Sequence, residues 1–102
     1  MLNMHYFKSQ IEDELCGAKC YVKKALETKP YHPVWAKQFL DMSDAELNHA
    51  TVLYHMCEDY YKEMGGSYST ILDYLEECMK DIVDCYVETS AKIKHMQDMY
   101  NA

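Results

Sequence analysis

The stretch Lys29-Pro30-Tyr31-His32-Pro33 cannot continue a helix, because each proline lacks an N–H and restricts the residue before it. A second break follows at Gly65-Gly66-Ser67, where glycines suit a helix stop and the serine suits an N-cap. These breaks leave segments 2–28, 34–64 and 67–99, each of long-helix length and none with the period-2 alternation of a strand. The spacing predicts an all-α fold, with three long helices in a single domain over residues 1–102.

Composition agrees with one domain rich in regular structure. The 102 residues are 49% hydrophobic and 13% aromatic, with only three glycines and two prolines. No run near twenty uncharged apolar residues exists to span a bilayer, so a membrane is not an expected partner. A formal charge of −7 repels phosphate backbones and anionic lipid, which argues against nucleic acid. The five cysteines are odd in number and form no CxxC pair, as expected of reduced thiols. Cys16 and Cys20 share a helix face, but CxxxC alone is a weak metal or redox signal. The opening Met1-Leu2-Asn3-Met4-His5 has no basic region followed by an apolar run, so a cytoplasmic location is expected.

Apolar residues recur at three-four spacing in each segment. In the first, Met4, Phe7, Ile11, Ala18, Tyr21 and Ala25 form a seam whose missing step is Glu14. In the second, Trp35, Phe39, Met42, Leu53, Cys57, Tyr60 and Met64 form another, with missing steps at Glu46 and His49. The third runs through Leu72, Leu75, Met79, Ile82, Tyr86, Thr89, Ile93 and Met96 without a charged interruption and reads as plain packing. At roughly 100° per residue, Glu14 points within about 40° of Phe7, Ala18, Tyr21 and Ala25. Glu46 points equally close to Trp35, Phe39, Met42 and Leu53, with His49 about 60° to one side.

Axial level brings these three together. With a rise of about 1.5 Å per residue, Glu14 lies roughly 21 Å below the end of helix 1 and Glu46 roughly 18 Å below the start of helix 2. An antiparallel hairpin therefore sets two carboxylates and an imidazole side by side within an apolar layer, where an unpaired charge costs several kcal/mol. Oxygen and imidazole donors suit iron or manganese, and Glu-x-x-His aims both of its ligands from one helical turn. The chain supplies half of the carboxylate-bridged di-metal pattern. Helix 3 does not complete it, because Asp73, Glu77, Asp81, Asp84, Glu88 and His95 fall on its outer side. A homodimer, or a higher even-numbered homo-oligomer, would supply four carboxylates and two histidines around two metal ions.

Glu14-Leu15-Cys16-Gly17-Ala18-Lys19-Cys20-Tyr21 and Met42-Ser43-Asp44-Ala45-Glu46-Leu47-Asn48-His49-Ala50 together resemble the ferritin-like superfamily, particularly rubrerythrins and the short encapsulated ferritins. The resemblance covers roughly residues 5–64. It implies a four-helix bundle made by dimerisation, with Glu14 and His49 as terminal ligands and Glu46 as the bridge. It also implies two iron ions per dimer and oxidation of Fe(II) by dioxygen or peroxide. The chain departs from the family in its long helix 3 and in lacking the second ligand set of a full-length rubrerythrin. Storage of iron would need an enclosing protein shell, and no shell-targeting tail is recognisable.

Plainer readings stand beside this one. Glu14, Glu46 and His49 also fit a polar layer that fixes register in a metal-free helical adaptor. The same ligands accept manganese or zinc without redox turnover. Ser43-x-x-Glu46 fits a capping box that would start a new helix at 44. Tyr21, Trp35 and Tyr60 share the ligand face, as hydrogen-bond donors around the metal or simply as core. Without metal, the carboxylates are expected to have raised pKa values or to pair with His49.

Overall fold

The computed structural model describes residues 2–65 and 69–102, with the side chains of 65 and 69–73 outside the description. The Gly66-Ser67 break and the side chains of Leu72 and Asp73 therefore lie outside the described residues. Three helices follow in order, α1 (Met4–Thr28), α2 (Pro33–Gly65) and α3 (Ser69–Asn101), with no strand among the described residues. Helix α1 begins where the Asn3 side chain accepts the Tyr6 N–H at 2.8 Å, a typical N-cap bond, rather than at residue 2. Helix α2 begins on Pro33, the first helical position, where the missing N–H would have had no partner anyway. It runs unbroken through 43–46, so the capping-box start at 44 is not formed.

The connection at 29–32 is tight, with the Tyr31 and His32 N–H groups both donating to the Thr28 carbonyl. Beyond it, α1 and α2 meet in opposite chain order. Tyr21 stacks on Phe39, the Ser43 hydroxyl donates to the Ala18 carbonyl, His49 approaches Glu14, and Phe7 lies against Tyr60. Helix α3 covers its own hairpin. Gln97 donates to Ser43, Tyr86 exchanges a 2.8 Å hydrogen bond with Thr51, and Met79 receives the Cys57 thiol. At the far end Lys29 donates to the Tyr100 carbonyl, and its ammonium sits 4.4 Å from that ring's centre. The result is a rod 56 Å long.

The buried faces differ from the expected seams by about one residue. Helix α1 buries Met4, Phe7, Ile11, Leu15, Ala18, Val22 and Ala25, so Leu15 fills the step assigned to Glu14, and Tyr21 is only half-buried. Helix α2 buries Ala36, Leu40, Ser43, Leu47, Ala50 and Cys57, while Trp35 and Met42 are 57% and 42% exposed. The physical reason is close approach. Ala36, Ser43 and Ala50 let the backbones come together, and the larger side chains rotate to the flank. Helix α3 packs as expected through Leu75, Met79, Ile82 and Ile93, with Glu77, Asp81, Asp84, Glu88 and His95 exposed.

Candidate metal centre

Glu14, Glu46 and His49 come together at one level of the hairpin, each offering a donor atom within 4.8 Å of the other two. They do not occupy the centre of the apolar layer. Both glutamates are half-buried and the His49 side chain is 63% exposed, so the cluster lies on the flank of the α1–α2 seam. Helix α3 touches α2 through Ser43, Thr51, Tyr54 and Cys57. At about 100° per residue, Glu46 and His49 point roughly 70° and 130° away from the mean of those partners, toward the side α3 leaves open.

The charges are poorly compensated within the chain. Glu14 Oε2 lies 3.5 Å from His49 Nδ1, yet this oxygen is shielded from solvent and accepts no hydrogen bond. Glu46 has its pKa raised above the ordinary value of 4.5, first by the hydrogen bond that its protonated form would make to the Glu14 carboxyl, then by burial and by the Glu14 charge, with His49 opposing.

The donor set suits a divalent ion. Two ligands held at about 2.1 Å from one metal lie no more than about 4.2 Å apart, so small rotations of the side chains close the 4.8 Å cluster onto an ion. The orphaned Glu14 oxygen marks where positive charge is missing, and two carboxylates with one imidazole accept iron, manganese or zinc. Three protein donors would leave a bound ion with further positions to fill.

The three aromatics expected around the ligands are spread along the rod. Tyr21 stacks on Phe39 with ring centres 6.4 Å apart, two turns from Glu14 and Glu46 respectively. Trp35 stacks on His32 at 3.7 Å beside the turn, about 16 Å along α2 from Glu46. Tyr60 packs on Phe7 at 5.7 Å, about 16 Å beyond His49. Trp35 and Tyr60 are thus too distant to touch Glu14, Glu46 or His49 directly. Two neighbours were missed by seam spacing. Gly17 lies against the Glu46 carboxylate, and buried Ser43, one turn before Glu46, ties α2 to the Ala18 carbonyl at 2.7 Å. Their small size was the available signal. Among known proteins, no family model, no curated protein and no solved structure matches the chain.

Proposed function

We propose that this chain is a carboxylate-type metal protein in which Glu14 and His49 are terminal ligands, Glu46 bridges, and a second copy supplies the matching half-set. The observation that carries the reading is the enclosed, unpartnered Glu14 oxygen within a Glu-Glu-His cluster. Two flanks facing one another across a two-fold axis would bring four carboxylates and two imidazoles together and would cover Trp35 and Met42. Iron bound there would supply electron transfer to dioxygen or peroxide, giving a ferroxidase-like activity. The chain's own residues would hold the charge and fix the spacing of the donors. Free thiols at all five cysteines accord with a cytoplasmic setting.

Anaerobic Fe(II) titration of the purified protein, with light scattering, tests this. About two ions per dimer, lost in Glu46→Ala, is the expected result. A monomer that takes up no iron would sink the proposal. Binding followed by no oxygen consumption when air is admitted would instead indicate a divalent-metal site lacking redox turnover, as for manganese or zinc. The competing reading is a metal-free helical adaptor, favoured by the 3.5 Å approach of His49 to Glu14, which becomes an ion pair once the imidazole is protonated. Elemental analysis of protein expressed with iron available separates the two.

A further inference from the structure

We propose that Gly17 is a positioning residue for the Glu46 carboxylate, the absence of a side chain there being the space in which that ligand lies. The inference rests on the metal-centre reading for its purpose, but its steric content is independent of metal. A Cβ built on Gly17 would stand 3.2 Å from Glu46 Oε2, 3.4 Å from its Cδ and 3.6 Å from its Cγ. The carboxylate of α2 therefore rests on the bare backbone of α1, one turn beyond Glu14.

Other reasons for a glycine fail here. The residue lies well inside α1, and no glycine among the described residues has a positive φ, so no special backbone conformation requires it. In a helix interior glycine is less favourable than alanine. The adjoining residue shows the same closeness, since the Ala18 carbonyl receives the Ser43 hydroxyl and holds α2 against α1 one turn from Glu46. With the helices pinned, the movable partner is the end of the Glu46 side chain. An alanine at 17 would push the Glu46 carboxylate away by a few tenths of an ångström and leave the fold intact.

The test uses Gly17→Ala, Glu46→Ala and the double variant, each read for metal-free melting temperature and for Mn(II) binding by electron paramagnetic resonance. Gly17→Ala should keep its helical circular dichroism, melt at or above the wild type, and bind Mn(II) at least tenfold more weakly. In the Glu46→Ala background the same substitution should raise the metal-free melting temperature further, because no carboxylate has to move. Equal Mn(II) affinity in wild type and Gly17→Ala would overturn the proposal, and so would additive melting shifts. Wild-type protein that takes up no Mn(II) removes the metal reading and the purpose assigned to Gly17. Non-additive melting would then still support the steric contact alone.

Discussion

Glu14 and His49 approach to 3.5 Å through Oε2 and Nδ1, but the oxygen is sealed from solvent and unbonded while the imidazole is 63% exposed. A half-open cluster of this kind can be completed from one side only, by a proton, an ion or another molecule. Its consequences for the metal-free protein follow from Glu46.

Because the folded-state pKa of Glu46 is raised above 4.5, the folded state binds more proton there than the unfolded chain only between 4.5 and the folded value. The stabilising contribution is fully present below about 4.5, the ordinary glutamate value, and is lost as pH rises through the folded value. Glu46→Gln, neutral throughout, should therefore melt above the metal-free wild type at pH 7, with the gap narrowing toward pH 4. Melting curves across that range check it, and a gap that stays constant would contradict the assignment.

Ser43 is fully buried, donating to the Ala18 carbonyl and accepting from Gln97. Ser43→Ala removes the hydroxyl and leaves both partners short of a bond, a loss of about 1–3 kcal/mol. Urea unfolding should show a lower midpoint at unchanged slope. An unchanged midpoint would mean that water replaces the hydroxyl without loss.

The position of the true seam is also open to mutation. Leu15, 1% exposed, should cost about 2–5 kcal/mol on truncation to alanine. Trp35→Ala, on the exposed flank, should cost under about 0.5 kcal/mol at concentrations where the chain is monomeric. Comparable losses at the two sites would restore Trp35 to the core.

Thiol reactivity should sort by burial. Cys57 is buried and its pKa is pushed up to about 11, whereas Cys16 and Cys20 face solvent. Iodoacetamide labelling at pH 8, mapped by mass spectrometry, should modify Cys16 and Cys20 first and Cys57 only with unfolding. Early labelling of Cys57 would show that its end of the core opens locally.

The helices were legible because prolines at 30 and 33 leave the chain no other local choice, and the meeting of Glu14, Glu46 and His49 follows from counting residues outward from that turn. The rotation of each helix was not legible. Glu14 and Leu15 are about 100° apart, and a pattern of large apolar residues runs acceptably on either side of the boundary between them. What decides is the closeness allowed by Ala36, Ser43 and Ala50, a property of two helices together that no single periodicity contains. Gly17 was hidden for the same reason, since its contact is with a side chain from the other helix.

The Lys29–Tyr100 clamp sets the last turn of α3 at the hairpin tip, while Met4 packs in the core cluster that includes Cys57, toward the opposite end of the 56 Å rod. Fusing two copies into one polypeptide is therefore a ruler for their mutual orientation. Copies packed side by side in antiparallel fashion need only a short tether between the end of one and the start of the next. Copies pointing the same way need one that crosses the rod's length, about 17 extended residues at roughly 3.3 Å each.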